Sequence, residues 1–222
     1  MCGRYTLYTP VPELERRFGA TAEQEFEPRY NAAPGQDHPV VLDADPDTIT
    51  AARWGLTPRW ADEQQGHINA RAETVTEKPS FREAFEERRC LVPADGFYEW
   101  ADGQPHHVTV GDGPFAMAGI YEPWTPPDRQ AGLADFDGEV EGPGTVRTYA
   151  VLTTAPNDVV GDLHHRMSAI LAPEEEREYL TADPERAREL LDPCPGEEMA
   201  AYPVSEAVND PGNDRPELVE PL

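Results

Sequence analysis

The chain is 222 residues long, and 38% of those residues are hydrophobic. This length is enough to bury a sizeable core within one large domain, and no apolar run approaches the roughly 20 residues of a membrane-spanning helix. The apolar stretch of a signal peptide does not follow Met1. We therefore expect one domain over residues 1–222 in a soluble, cytoplasmic protein.

The charge of the chain is strongly negative. It has 43 acidic and 18 basic residues, a formal net charge of −25, and Lys78 is its single lysine. Such a surface around an ordinary apolar core is typical of proteins adapted to high salt, which we take as a hypothesis. A low-salt acidic protein with cationic partners is the alternative. Acidity disfavours nucleic-acid binding unless arginines gather locally.

The sequence contains no pattern for a cofactor or a metal. Its cysteines, Cys2, Cys90 and Cys194, are odd in number, widely spaced and without a C-x-x-C pair. This spacing argues against a disulfide framework and against a structural zinc site. Neither G-x-G-x-x-G nor a P-loop occurs, so we expect no nucleotide cofactor. Zinc binding by the histidine pairs at 106–107 and 164–165 is a lesser alternative.

The predicted elements form an α+β pattern rich in short strands. In chain order, β-branched and aromatic residues between glycines and prolines predict strands over 3–8, 38–42, 48–54, 89–93, 96–100, 106–110, 115–121 and 146–153. Helices are predicted over 11–18, 80–88, 173–180 and 184–191. Ser80 is expected to cap the second helix in a capping box with Glu83, and Pro184 to begin the fourth. An acidic, Pro- and Gly-rich stretch at about 123–145 predicts an exposed loop.

The second residue carries distinctive chemistry. Removal of Met1 leaves Cys2 with an amine and a thiol on adjacent carbons. The amine can condense with an aldehyde, and the thiol can then close on the imine to form a thiazolidine. Both groups are partly unprotonated near neutral pH without special tuning. The alternative is that Cys2 merely starts a buried strand.

One stretch of the acidic chain is locally basic and aromatic. Residues 50–61 contain Arg53, Trp54, Arg59 and Trp60 and no acid. Aromatic rings between guanidinium groups are typical of surfaces that bind single-stranded nucleic acid. The alternative is that the two tryptophans are core residues beside a turn, as large aromatic residues commonly are.

Four short segments occur in order along the chain: Met1-Cys2-Gly3-Arg4-Tyr5, Asn69-Ala70-Arg71-Ala72-Glu73-Thr74, Gly96-Phe97-Tyr98-Glu99-Trp100 and His164-His165-Arg166-Met167. Together with Arg29-Tyr30-Asn31-Ala32-Ala33-Pro34-Gly35 and Trp54-Gly55-Leu56, this series resembles the SOS response-associated peptidase (SRAP) family over nearly the whole chain. The resemblance implies a barrel-like antiparallel sheet system with short peripheral helices. It also implies abasic sites in single-stranded DNA as the partner.

The resemblance assigns catalytic roles to four residues. Cys2 would attack the C1′ aldehyde of an abasic site and form a stable thiazolidine crosslink. Glu99 would shuttle protons, and Asn69 would orient the amine or a sugar hydroxyl. His164 would protonate the ring oxygen so that the sugar opens, although the adjacent His165 competes for this role.

Three arginines, Arg4, Arg71 and Arg166, would hold phosphates around the lesion, as the resemblance implies. Trp54 and Trp60 would add stacking surfaces. Ser168 departs from the family's usual proline after the methionine, which is expected to loosen the backbone there. We expect a monomer without a metal or organic cofactor, associated with the nucleoid when DNA is bound.

Two other functions fit the same residues. In a cysteine peptidase, Cys2 would be the nucleophile, His164 the base and Glu99 the orienting group, with self-removal of Met1 included. A non-catalytic single-strand binding module would use Trp54, Trp60 and the arginines. Such a module would bind abasic and intact strands alike and would survive replacement of Cys2.

Overall fold

The computed structural model describes residues 3–126 and 144–222. Cys2, and most of the loop predicted at about 123–145, lie outside the described residues. The first residues of that predicted loop are corrected, because Pro123 and Trp124 complete a strand that begins at Phe115. In the described ranges, no helix has both the length and the apolar character needed to cross a membrane.

The described chain contains fourteen strands and five α-helices. The strands are β1 Tyr5–Leu7, β2 Thr21–Ala22, β3 Arg29–Ala32, β4 Asp37–Leu42, β5 Asp45–Trp54, β6 Asn69–Arg71, β7 Arg89–Ala94, β8 Gly96–Ala101, β9 Gln104–Val110, β10 Phe115–Trp124, β11 Val146–Thr154, β12 Met167–Ser168, β13 Ile170–Leu171 and β14 Met199–Pro203. The helices are α1 Val11–Phe18, α2 Arg82–Glu87, α3 Asp158–Gly161, α4 Glu176–Thr181 and α5 Pro184–Glu189. All eight predicted strands and all four predicted helices are confirmed, within a few residues at their ends.

Five strands close into a barrel. β11, β10, β7, β4 and β5 pair in that order, and β5 then pairs with β11. The closing pair is parallel, with Thr148 opposite Arg53 and Tyr149 opposite Trp54. Closure removes the exposed sheet edge that a strand at either end would otherwise present. The predicted fold class is confirmed, although the sheet system is not wholly antiparallel.

A second sheet packs beside the barrel in the order β14-β9-β8-β1-β3, and all its pairs are antiparallel. Its register places Tyr5 of β1 opposite Phe97 of β8. The Tyr5 hydroxyl lies 2.9 Å from the Tyr149 hydroxyl of β11, so a buried hydrogen bond joins this sheet to the barrel.

Close packing explains the glycine that begins β8. A Cβ built on Gly96 would lie 2.3 Å from Nε2 of His107 and 2.8 Å from the Val108 carbonyl oxygen. The His107 ring is fully buried and lies between Thr6 and Tyr202, with nitrogen-to-oxygen distances of 3.1 and 3.0 Å. A side chain at position 96 would therefore displace either this ring or the strand backbone.

The short helices are peripheral and their caps differ from the sequence prediction at one point. The residue before α2 is Phe81, whose side chain makes no capping bond, so the predicted capping box of Ser80 and Glu83 is wrong. The side chain of Glu83 instead pairs with Arg59. Pro184 does begin α5, and Asp183 caps it by accepting from the backbone N–H of Arg186.

The Arg29–Gly35 motif anchors the C-terminal part of the chain. The side-chain amide of Asn31 donates to the carbonyl oxygens of Val208, Asp210 and Asn213 at 2.9–3.2 Å. The Asp214 carboxylate accepts from the backbone N–H groups of residues 30 and 31. This motif therefore holds the last segment of the chain against β3 through hydrogen bonds.

Candidate active site

Glu99 lies on β8 beside the beginning of the described chain. The backbone N–H of Tyr98 donates to the Arg4 carbonyl oxygen at 3.0 Å, which continues the β1–β8 pairing toward Gly3 and Glu99. β8 lies between β1 and β9, and the strand register places Glu99 opposite His106 of β9. The residue is only 1% exposed. The Glu99 side chain is therefore buried, whereas glutamates on strands commonly face solvent.

Burial changes the acidity of this carboxyl group. Loss of water around Glu99 raises its pKa from the ordinary 4.5 to about 7, because a low-dielectric environment disfavours the charged form. At neutral pH the protonated and ionised forms are then both populated. A group in this state can donate and accept a proton during one reaction cycle.

The segment that contains Asn69 and Arg71 lies along β11. β6 pairs with β11 in parallel, with Asn69 opposite Val151 and Arg71 opposite Thr153. Asn69 is half-buried and Arg71 is exposed. The last residues of β11 also pair with β12, where Thr153 is opposite Ser168. Thr153 is therefore the point at which the Asn69 segment and the histidine segment meet.

The histidine segment forms a tight turn before β12. Nδ1 of His164 lies 3.0 Å from the backbone nitrogen of Arg166 and 3.2 Å from its carbonyl oxygen, so the backbone of Arg166 engages this ring nitrogen. Burial lowers the pKa of the half-buried His164, which favours the neutral form of its ring. His165 is exposed, and its ring centroid lies 4.2 Å from that of His164. Of the two rings, His164 is the one held by the backbone.

Arg166 is tied to an acid that the sequence reasoning assigned no role. Its guanidinium makes two hydrogen bonds to the Glu73 carboxylate, at 2.5 and 2.8 Å, and a third to the Thr153 carbonyl oxygen at 2.5 Å. The ion pair lowers the pKa of Glu73. Glu73 and Thr153 therefore join the site as residues that sequence reasoning missed. The signal for Glu73 was its position within the Asn69–Thr74 motif.

The two tryptophans lie in different environments. Trp54 is 1% exposed, donates from Nε1 to the Ile68 carbonyl oxygen at 2.9 Å and packs against Tyr5 and Tyr149. A ring without an exposed face cannot stack on a base, so the predicted DNA contact of Trp54 is corrected to a core role. Trp60 is 58% exposed and keeps a free face for stacking.

The locally basic stretch 50–61 is neutralised by acids from elsewhere in the fold. Arg53 pairs with Asp37 at 2.9 Å, and Arg59 pairs with Glu83. The absence of acids within the stretch therefore does not produce an uncompensated basic surface. Tertiary contacts determine which cations remain available for a ligand.

The predicted site residues thus fall into two neighbouring groups. Arg4 and Glu99 lie on the paired strands β1 and β8, whereas Asn69, Arg71, His164 and Arg166 gather around the end of β11. The Tyr5–Tyr149 hydrogen bond links the strands that carry the groups. Within residues 3–126 and 144–222, no cluster of three or more His, Cys, Asp or Glu side chains is arranged to hold a metal ion.

Known proteins are similar to this chain in sequence and in fold. The SOS response associated peptidase (SRAP) family matches residues 1–211. The abasic site processing protein YoqW of Bacillus subtilis (strain 168) is 38% identical over 236 residues, covering 99% of this chain and 99% of that protein. The abasic site processing protein HMCES of Xenopus tropicalis is 30% identical over 276 residues, covering 99% of this chain and 78% of that protein.

A solved structure is also similar to this chain over its full length. A crystal structure of a protein from Bacteroides thetaiotaomicron has a TM-score of 0.84 and 26% identity, with 100% of both chains covered. Fold and sequence together define a class of barrel-based proteins whose named members process abasic sites. This chain belongs to the SRAP family.

Proposed function

We propose that this protein processes abasic sites by forming a covalent thiazolidine between Cys2 and the C1′ aldehyde of an abasic site in single-stranded DNA. The names of the bacterial and animal relatives support abasic DNA as the substrate. The observation that carries the mechanism is Glu99, a buried carboxyl group with a pKa of about 7 beside the strand that begins after Cys2. The crosslink shields the lesion by keeping it bound to protein.

The reaction balances with loss of one water. After removal of Met1, the free amine of Cys2 adds to the aldehyde carbon, and the carbinolamine loses its hydroxyl as water to give an imine. Glu99 in its protonated form gives its proton to the departing hydroxyl, so the imine is formed with its nitrogen protonated. The Glu99 carboxylate then accepts the thiol proton, the sulfur forms a C–S bond to the imine carbon, and the C=N π electrons return to nitrogen, which keeps its one hydrogen.

The remaining residues prepare the sugar. The imidazolium form of His164 protonates the ring oxygen so that the closed sugar opens to the aldehyde, and Nε2 is the nitrogen available for this transfer because the Arg166 backbone engages Nδ1. The half-buried Asn69 offers a neutral amide that orients the amine or a hydroxyl without an added charge. Arg4, Arg71 and Arg166 contact phosphates. For Arg166 this requires exchange of the Glu73 carboxylate for a phosphate, which has similar bidentate geometry.

Covalency suits a protein with this net charge. Each phosphate contact in single-stranded DNA weakens with rising salt, with a slope of about −0.7 in log K against log salt. A thiazolidine does not depend on ion pairs once it has formed, so the cations need only position the sugar. We propose that the protein acts as a monomer in the cytoplasm, at the nucleoid while DNA is bound.

The test is intact-mass spectrometry after incubation with single-stranded DNA that carries one abasic site. We expect an adduct equal to protein plus DNA minus one water, absent with an intact strand and absent in a form that retains Met1. A Cys2→Ser variant keeps the amine and lacks the thiol, so we expect a DNA adduct only after borohydride reduction. A Cys194→Ser control excludes adducts at the half-buried Cys194 thiol.

The same experiment separates the peptidase alternative, for which the family description is the supporting observation. A peptidase that acts through the thiol alone tolerates a blocked amine and cleaves a peptide substrate. An adduct with abasic DNA that forms equally well when Met1 is retained would contradict the thiazolidine mechanism. Equal binding of abasic and intact strands without any adduct would favour a simple binding module.

A further inference from the structure

A groove with an apolar floor opens where the β9–β10 turn, β13 and the segment after α5 meet. It has a volume of about 650 Å³. Its apolar lining includes Phe115, Ile170, Leu171 and Leu190, together with prolines that flank these residues. Clefts of about 300–1,000 Å³ with a largely apolar lining are typical binding sites. None of these residues takes part in the proposed chemistry of Cys2 and Glu99.

Acidic side chains from three segments surround this apolar floor. The one cation among the described lining residues is Arg17, and its charge is balanced by two hydrogen bonds to the buried Glu176 carboxylate, at 2.5 and 2.9 Å. Of the acidic lining residues, Glu189 alone forms an ion pair within the described ranges, with Arg186. The acidic lining residues are Asp112, Glu174, Glu175, Glu189, Asp192 and Glu198.

The Cys194 thiol lies inside the groove and senses these charges. It is half-buried and belongs to the groove lining. Burial raises the pKa of this thiol, and the negative charges of Glu198 and Glu175 raise it further. Carboxylates from two different segments therefore act on the same point of the groove. A cleft of one sign concentrates ligands of the opposite sign.

The groove continues past the end of α5. Glu189 and Asp192 also line a second cavity of about 620 Å³, so the two cavities meet at these carboxylates. A path of this size suits a polypeptide segment of several residues. A second copy of this chain is a poor occupant, because each copy has a net charge of −25 and a single lysine.

We propose that this groove docks a basic segment of a partner protein. Apolar side chains of the segment contact the floor, and its Lys or Arg side chains pair with the surrounding carboxylates. Such complementarity speeds association and excludes acidic segments. DNA phosphates have the same sign as the groove, so the groove stays open to a protein while DNA is bound. This docking surface goes beyond the proposed function and does not depend on it.

The native thiol provides a test of the charge. In the full chain carrying Cys2→Ala, the described thiols are Cys194 and the buried Cys90. Labelling rates are measured with two methanethiosulfonate reagents of similar size, one bearing a trimethylammonium group and the other a sulfonate. Relative to the same ratio for free cysteine, we expect the cationic reagent to react about tenfold faster, the lower end for a charged cleft. Cys194→Ser gives the background rate.

The double variant Asp192→Asn, Glu198→Gln removes two carboxylates from the groove and should reduce this preference. The matched control is Asp62→Asn, Glu63→Gln, which makes the same charge change at two exposed positions outside the groove lining and should leave the preference intact. A normalised ratio near one, or a ratio that the groove double variant does not change, would overturn the proposal.

Peptide selection tests the occupant. A library of random twelve-residue peptides is selected on the Cys2→Ala chain, after depletion on the same chain with Cys194 alkylated by N-benzylmaleimide, which obstructs the groove. We expect enriched peptides to combine Lys or Arg with apolar residues and to protect Cys194 from alkylation. They should bind the groove double variant about tenfold more weakly than its parent. Enrichment of acidic peptides, or no enrichment beyond the alkylated chain, would contradict a basic partner segment.

Two further outcomes would also overturn this assignment. Protection of Cys194 by spermine, but not by peptides of equal charge, would identify a small oligoamine as the occupant. A dimer that dissociates in the groove double variant, measured by sedimentation equilibrium, would identify a second copy. With Cys2 restored, this double variant is expected to crosslink abasic DNA at the wild-type rate, so failure of the groove and failure of the proposed function are distinguishable.

Discussion

Replacing Glu99 with glutamine should make the protein more stable at alkaline pH while abolishing its chemistry. Glu99 is 1% exposed, and burial raises its pKa from 4.5 to about 7. The folded state therefore binds this proton more tightly than the unfolded state does. As pH rises from 4.5 to 7, the unfolded state loses its proton first and wild-type stability falls. A shift from 4.5 to about 7 corresponds to a loss of about 3 kcal/mol, complete above pH 7.

Glutamine has nearly the same shape and cannot ionise, so Glu99→Gln escapes that loss. The difference in unfolding free energy between Glu99→Gln and wild type should increase by about 3 kcal/mol between pH 4.5 and pH 8. Urea unfolding at several pH values and one fixed KCl concentration measures this difference. The other titrating groups contribute equally to both proteins and cancel. Glu86→Gln, at an exposed position, should show no more than about 0.5 kcal/mol at any pH.

The rate of crosslink formation provides the second half of the test. Under single-turnover conditions, Glu99→Gln should slow adduct formation by roughly 10²–10⁴-fold, the usual contribution of a positioned acid or base. A stability difference that does not change with pH would show that Glu99 is ionised throughout, with its charge compensated. A wild-type crosslinking rate in Glu99→Gln would refute its role in proton transfer, whatever the stability result.

Three further substitutions test the packing and the histidine turn. Gly96→Ala should destabilise the protein by about 2–3 kcal/mol in urea unfolding because its Cβ meets the His107 ring and the Val108 carbonyl, whereas Gly113→Ala, with nothing within 4 Å, should be neutral. Ser168→Ala should raise the melting temperature and stability by about 1 kcal/mol, since the fully buried hydroxyl has no hydrogen-bond partner among the described residues; a loss would mean that the hydroxyl is satisfied. His164→Asn should slow crosslinking by about 10²-fold while His165→Asn changes it less than about twofold, and the reverse order would transfer the proposed acid role to His165.

The elements with strong local patterns were predictable. Long β-branched or aromatic runs between glycines and prolines identified β5, β10 and β11, and the Pro-initiated α5 was found from Pro184. Short strands such as β6 and β12 were missed because two or three residues carry no periodicity of their own. These strands exist only because β11 offers them an edge for pairing, and they carry or adjoin the Asn69 and His164 motifs.

The chemistry of single residues was also accessible from the chain alone. An amine and a thiol on Cys2 are adjacent in any conformation, so their capacity to trap an aldehyde is a property of the covalent structure. The ordered motifs around Asn69, Glu99 and His164 were sufficient to predict the SRAP family, which residues 1–211 match. Ser168 stands where the family usually has a proline, and the sequence predicted a looser backbone there. In the structure Ser168 lies in β12 and pairs with Thr153 of β11.

Burial and charge pairing required the tertiary structure. Trp54 and Trp60 are six residues apart in the same basic stretch, yet one lies in the core and the other is exposed, because rings from β1, β4 and β11 pack against Trp54. The sequence alone determined which groups the protein carries and in what order. The fold decided which of them lose water and which are paired with an opposite charge, since both depend on residues that are distant along the chain. Desolvation of Glu99 is the result of that kind on which the proposed chemistry depends.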